Sequence, residues 1–411
     1  MNLTLKIVLQ RLLFSLVILS LVRIGTFLPV PGINHADIAF YIEKHSTTKN
    51  LLSTFSAGDI FIVGLFSLNL FPYINATILV QLLIGISPKL AELQKDGDFA
   101  ARRSINQLTR KLALFLTLLQ SAGVSFYLKQ ILFDWNYFLA FSVIIWMTAG
   151  AMIVLWLSEI ITEQGFGNGT SILIYTNIVS NLPNLIKKTI LVNNESTMLF
   201  SGVSILLLVC VSLYGIIFLQ KGIRQIPLLS ARQLAKSSVR KKSKDFWYLP
   251  LRFNQAGVMP IILTASLLAV PNYIISSGFV PWLSFLTSFK LFYWVSYFIL
   301  VMISSSFYSA IVLKPKDLAD QLQKMAVAIP GIRPGKQTIF FLKRTINRLT
   351  LIGATLLATI TVIPNFIEST LNISGLNGLS TTSLLILAGV ILDLIREIEN
   401  IYYSNVYDEK Y

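Results

Sequence analysis

The sequence predicts an all-α polytopic membrane protein of ten transmembrane helices, arranged as two pseudo-symmetric, inverted halves of five. Three observations carry this expectation. Apolar residues fill 54% of the 411 positions and charged residues only 13%, which leaves too little polar surface to coat a water-soluble fold of this size. The apolar residues fall into runs of about 20, the length at which a helix crosses a hydrocarbon core of roughly 30 Å with its backbone N–H and C=O groups satisfied internally. Lys and Arg concentrate in alternate connections between these runs, as the positive-inside rule requires.

The first span, 12–30, follows Lys6 and Arg11. It superficially resembles a secretory signal, but no small-x-small cleavage site follows, and the run continues past Arg23 to Pro29 and Pro31 at full crossing length. No Ser/Arg-rich transit extension precedes it, so the chain is expected to be made in the compartment it serves. Segment 50–69 is weakly apolar and interrupted by Gly58 and Gly64. It is expected to be re-entrant, because non-helical backbone at membrane depth is tolerated only where protein buries it or an aqueous cavity receives it. Spans two to six are expected at 70–86, 111–131, 137–157, 169–186 and 199–219, and spans seven to ten at 256–275, 291–313, 347–367 and 380–398.

The expected domain plan follows. Residues 1–219 hold spans one to five, the re-entrant segment and span six. Residues 220–255 form a basic loop on the inside, 256–398 hold spans seven to ten with a second basic loop at 314–346, and 399–411 form the tail. An even number of crossings places both termini on the inside. Of the 34 Lys and Arg, 27 then lie in inside regions, leaving Arg23, Lys44, Lys49, Lys129, Lys187, Lys188 and Lys290. Topology therefore accounts for the formal charge of +15, and no sequence-specific nucleic-acid binding is expected. The two basic loops are still longer than topology needs. They suggest a docking surface for an acidic or RNA-rich partner.

The sequence offers no catalytic constellation. Cys210 is the single cysteine and cannot form an intrachain disulfide; His35 and His45 stand without metal-ligand spacing. There is no Ser/His/Asp grouping, no HExxH and no paired intramembrane Asp, so neither enzyme activity, cofactor nor metal is expected. Gly165, Gly167 and Gly169 in GFGNG look like a phosphate-binding loop, but no strand precedes them and no Lys-Ser/Thr follows. A tight inside turn accounts for them. Arg23, Glu159, Asp393 and Glu397 fall near span ends, where snorkelling or interfacial hydration explains them. A secondary transporter of a small solute, the alternative reading, generally keeps ionisable groups near mid-depth, and here they are almost absent.

Ten stretches occur in an order that resembles the SecY family over nearly the whole chain. They are RIGTFLPVPGI from Arg23, FSAG from Phe55, FPYINATILVQLL from Phe71, LAELQKDGDFAARRSINQLTR from Leu90, ITEQGFGNGTSI from Ile161, NQAGVMP from Asn254, FYSAIVLKPKDLADQL from Phe307, IPGIRPGKQT from Ile329, NRLTLIGA from Asn347 and TTSLLI from Thr381. The resemblance implies a clam-shell of two five-helix halves around an hourglass pore, with a gate toward lipid between spans two and seven. The implied function is a protein-conducting channel that passes unfolded preproteins and releases hydrophobic segments sideways into the membrane lipid.

Carried over by motif, the pore ring is Leu70, Ile74, Thr170, Ile174, Ile262 and Ile386. An apolar ring offers water and ions no partner and closes by dewetting, yet yields to a passing chain. Thr170 departs from the aliphatic pattern; either the ring tolerates a hydroxyl or the register slips by one residue. The segment at about 50–65, with Phe55, Gly58 and Asp59, is implied to be the plug. The Asp59 carboxylate must face water or be neutralised. Arg333 in PGIRPG, with Arg240 and Lys241, is implied to meet a ribosome or a SecA-type ATPase. Two prolines and two glycines fix a turn that presents the planar guanidinium outward. Asn75 and Gln81 are candidates for the lateral gate. A SecE-like subunit and a SecG-like subunit are the implied membrane partners. No nucleotide motif is present, so energy must come from a partner or the membrane potential. Heavy use of Ile, Leu, Asn, Lys, Phe and Ser points to AT-rich coding and a plastid thylakoid membrane, with a bacterial plasma membrane as the alternative.

Overall fold

The computed structural model describes residues 2–33, 64–96, 99–129, 136–192, 207, 210–230, 247–254, 257, 259–261, 263–264, 267, 290–371 and 381–408. The helices are α1 (Asn2–Phe27), α2 (Phe71–Ile86), α3 (Pro88–Asp96), α4 (Phe99–Leu128), α5 (Tyr137–Gln164), α6 (Gly169–Val192), α7 (Cys210–Lys221), α8 (Lys290–Val312), α9 (Pro315–Lys324), α10 (Lys336–Leu371) and α11 (Thr381–Asp408). Nine of the ten expected spans fall wholly or partly on these helices; the seventh, 256–275, lies mainly outside the described residues. Among the described residues, Val8–Phe27, Tyr137–Gln164, Trp294–Lys324 and Lys336–Ile363 are long and apolar enough to cross a membrane, and Phe71–Ile86 and Cys210–Lys221 are shorter apolar helices. Leu13, Val17, Phe115, Leu119, Phe138 and Phe141 are exposed, as lipid-facing side chains would be.

The chain divides into two compact units, Met1–Val192 with Val390–Tyr411, and Asn193–Gly389. In the first, α2 packs on α4, α4 on α5, and α5 on both α1 and α6. The buried stripe on α5, Ala140, Val143, Met147, Gly150, Ala151, Val154, Leu155, Ser158 and Ile161, repeats at helical spacing and supplies the shared face. α1 extends ten residues upstream of its expected start, and α4 begins within the expected inside loop 87–111. At 30 residues, α4 is about 45 Å long, so its basic first turns outreach the hydrocarbon core. Neither Gly nor Pro interrupts 99–122, so nothing ends the helix at the membrane edge. Pro72 sits in the first turn of α2, where its missing N–H has no intrahelical partner to lose.

In the second unit α8 packs on α10, and α9 on α10. Ile216, Leu219, Ile261, Tyr297, Val301, Leu357 and Ala358 form one apolar core. The expected basic loops contain a three-stranded antiparallel sheet of order β2-β1-β3, with β1 at Ile223–Ser230, β2 at Trp247–Arg252 and β3 at Val327–Ala328. β1 pairs with β2 from Ile223↔Arg252 to Leu228↔Trp247, and with β3 only at Leu229↔Ala328 and Ser230↔Val327. Pro227 therefore lies where β1 is bonded on one side alone, and Pro250 lies on an edge strand, the places where a strand tolerates a residue without an N–H. Ile226, Leu228, Leu251, Leu322, Val327 and Leu342 join the sheet to α9 and α10 in a second core.

A Cβ on Gly150 would overlap the carbonyl oxygen of Leu65, whereas a Cβ on Gly123 meets nothing within 4 Å. Gly150→Ala should destabilise the protein by about 1–3 kcal/mol, while Gly123→Ala should be neutral or stabilising by up to about 1 kcal/mol. Thermal unfolding midpoints in detergent check the pair; a Gly150→Ala midpoint equal to that of Gly123→Ala would contradict the packing.

Candidate functional site

The approach to α2 is built from backbone that is neither strand nor helix. Gly64 bridges to Pro29, and the Leu65 N–H donates to the Leu28 carbonyl at 2.8 Å. Ser67, Asn69 and Phe71 donate back to Gly64, Phe66 and Leu68 in successive turns. Asn69 takes φ 47°, a left-handed value that Asn adopts more readily than most residues, and its side-chain oxygen accepts the Leu70 N–H at 2.9 Å. Phe66 occupies the space a Cβ on Gly25 would fill. Gly64, Phe66, Leu68 and Leu70 are buried and Leu65, Ser67 and Asn69 half-buried, so protein encloses alternate residues of this irregular stretch.

The contact between Leu65 and Gly150 fixes the depth. Gly150 lies near the middle of the 28-residue α5, about 20 Å from its first residue. α2 thus starts part-way through the layer. Leu70 is 2% exposed and caps α2; Ile74, whose N–H donates to the Leu70 carbonyl at 2.9 Å, is half-buried one turn on.

The turn before α6 is tied down by side chains from three helices. The Phe166 N–H donates to Ser15 Oγ at 2.9 Å, the Gly167 N–H to Glu397 Oε1 at 3.1 Å, and the Gly169 N–H to Thr162 Oγ1 at 2.9 Å. Gly167 has φ +75°, and a Cβ on Gly169 would overlap the Ser158 carbonyl. Each of these N–H groups is already bonded, so the glycine loop presents no anion-binding nest there. Thr170 follows in the first turn, its hydroxyl donating to Asn168 Oδ1 at 2.7 Å. Because Gly169 meets Ser158, eight residues or about 12 Å along α5 from Gly150, Thr170 enters nearer the C-terminal end of α5. Ile174 stands one turn, about 6 Å, back toward the level of Gly150, half-buried.

Leu70 with Ile74, and Thr170 with Ile174, thus form two pairs each stacked on one helical face. Ile386 is half-buried on α11, while Ile262 lies outside the described residues, as do Phe55, Gly58, Asp59, Arg240 and Lys241. Gln81 has a buried side-chain oxygen without a hydrogen-bond partner among the described residues, and Asn75 is engaged. Arg333 is exposed at the tip between β3 and α10, where Gly331 and Gly335 take φ +77° and +104°. Thr338 Oγ1 donates to the Arg333 carbonyl at 3.0 Å and holds the tip against α10.

The charged residues near the span ends have specific partners. Arg110 on α4 grips Glu159 on α5 through both oxygens, at 2.8 and 2.9 Å, the two-pronged geometry that suits a guanidinium. Tyr73 on α2 lies within electrostatic reach of both. Asp393 meets Arg396 at 3.4 Å, and the Arg23 guanidinium lies 4.8 Å from the centre of the Phe27 ring. Hydration alone does not account for Glu159 or Glu397. Ser15, Thr162 and Glu397 carry no sequence signal for their roles, since their partners are backbone groups up to 230 positions away.

The sequence model of the SecY family matches residues 64–395. The protein translocase subunit SecY of Trieres chinensis is 53% identical over 410 residues, covering 97% of this chain and 96% of that one. Its counterparts in Guillardia theta and Synechococcus elongatus are 42% and 36% identical, each over 97% of this chain and over 96% and 93% of their own lengths. Among solved structures, one described as a protein conducting channel superposes with a TM-score of 0.64 at 18% identity, over 96% of this chain and 92% of that one. Sec61 from a canine ribosome-channel complex does so with a TM-score of 0.63 at 17% identity, over the same shares. The fold is thus that of the SecY and Sec61 channels, and the chain belongs to the SecY family.

Proposed function

We propose that this chain is the central, pore-forming subunit of a Sec-type channel, which passes unfolded preproteins across the membrane and releases hydrophobic segments into the bilayer between spans two and seven. One observation carries the reading: the non-helical stretch that leads into α2 lies against Gly150, at the middle of α5, and the Leu70–Ile74 pair follows it at the start of α2. A solute-binding site would be expected to place charged or coordinating groups at that depth; this chain has aliphatic side chains there.

In the proposed mechanism Leu70, Ile74, Thr170, Ile174, Ile262 and Ile386 form the seal. Water and ions find no polar partner in such a ring, and the resting pore dewets. A threading peptide displaces the side chains by rotamer changes, which cost little beside the free energy that drives the chain forward. Phe55, Gly58 and Asp59 belong to the plug on the outer side, and Asn75 and Gln81 face the lateral gate. A SecE-like subunit braces the two halves, with a SecG-like subunit as a third member. Energy comes from a ribosome or a SecA-type ATPase docked on Arg240, Lys241 and Arg333, and the chain itself performs no catalysis. The membrane is the thylakoid of a plastid, a reading supported by the similarity to proteins of algae and cyanobacteria; a bacterial plasma membrane is the alternative.

Two experiments test this. Ile174→Ser together with Ile262→Ser should raise ion leak several-fold in reconstituted vesicles and relax signal-sequence requirements; leak equal to that of the unaltered protein would remove both residues from the seal. Arg333→Glu should weaken docking of the driving partner at least tenfold, read as partner binding to reconstituted channel, while resting leak stays unchanged. Full binding by the Arg333→Glu protein would contradict the docking role.

A further inference from the structure

Between α8, the start of α9 and α10 lies a cavity of ≈ 560 Å³, wholly within the second unit. Its two ends differ chemically. Where α8 gives way to the basic inside loop, the rim carries Lys316 and Lys343, both exposed and, among the described residues, neither in an ion pair. Eight residues beyond Lys343 along α10, about 12 Å, the wall becomes Ala310 and Leu351, exposed on the helix flanks. Ser309 and Thr350, both buried and lining the cavity, spend their hydroxyls on each other at 2.7 Å. No carboxylate lines the cavity.

A cationic mouth at the inside membrane edge leading to an apolar trough along a helix pair matches a molecule with an anionic head and an aliphatic tail. Basic pockets between transmembrane helices on the inner face suit anionic lipid headgroups for this reason. A soluble anion would leave the trough empty, and a zwitterionic lipid would leave the lysines uncompensated. We propose that this groove holds one anionic membrane lipid, its headgroup between Lys316 and Lys343 and an acyl chain along Ala310 and Leu351. The inference needs only the membrane placement of α8 and α10 and does not depend on the channel mechanism.

The test titrates the full chain, purified in a neutral detergent, with dioleoyl phosphatidylglycerol, dioleoyl phosphatidylcholine or glycerol phosphate, counting bound molecules by native mass spectrometry. One phosphatidylglycerol should bind tightly, and Lys316→Gln with Lys343→Gln should weaken it roughly tenfold or more. Lys324→Gln with Lys336→Gln removes the same charge from neighbouring exposed positions outside the cavity and should leave binding unchanged. Ala310→Phe, which fills the trough and keeps both lysines, should also displace the lipid. Equal binding of phosphatidylcholine, equal binding of glycerol phosphate alone, equal loss in both double variants, or a co-purifying protein chain held there with no lipid would each overturn the proposal.

Discussion

Backbone inside hydrocarbon must find its hydrogen bonds within the protein, and the stretch from Gly64 to Leu70 meets much of that demand without being a helix. The Leu65 N–H is taken by the Leu28 carbonyl, those of Ser67 and Asn69 by the stretch's own turns, and that of Leu70 by the Asn69 side chain. Gly25, Gly64 and Gly150 let it lie against α1 and α5 at distances that a side chain would forbid. Each isolated defect there would leave a buried polar group unpaired, at about 1–3 kcal/mol. Because this stretch lies against Gly150, at the middle of α5, α2 starts within the layer rather than at its edge. The same logic governs the turn before α6, where three helices each lend an oxygen to one backbone N–H.

The second unit solves a different problem. Its long basic connections hold a fold of their own beside the apolar helices. A three-stranded sheet, α9 and the long α10 do this around their own apolar core. α10 has 36 residues, about 54 Å, so one rigid element runs from the apolar core into the basic face. Arg333 sits at the turn that enters it, so the docking proposed there would act on a helix rather than on a loose loop.

Much of this was legible in the sequence because lipid leaves few choices. Apolar runs of crossing length placed nine of the ten expected spans wholly or partly on helices, although α1, α4 and α10 begin ten to twelve residues upstream of the expected edges. The glycines of GFGNG were readable as a turn, since nothing around them could complete a nucleotide loop. The sheet was not legible: Pro227 and Pro250 argue against strands until the pairing shows that each occupies an unbonded side. Nor were the partners of Ser15, Glu159 and Glu397, because a hydrogen bond to a distant group leaves no periodic trace. The motif resemblance supplied the ring assignment, and the structure adds the depth argument for its first pair.

The central claim is that Ile74 and Ile174 line one path for a translocating chain. Cysteines placed singly at these positions, with Cys210→Ser removing the native thiol, can be challenged with a preprotein arrested in transit and carrying one cysteine of its own. The account predicts disulfide adducts from Ile74→Cys and Ile174→Cys, and none from a cysteine at Leu128, which is buried at the far end of α4. An arrested preprotein that forms no adduct at either isoleucine position would contradict it.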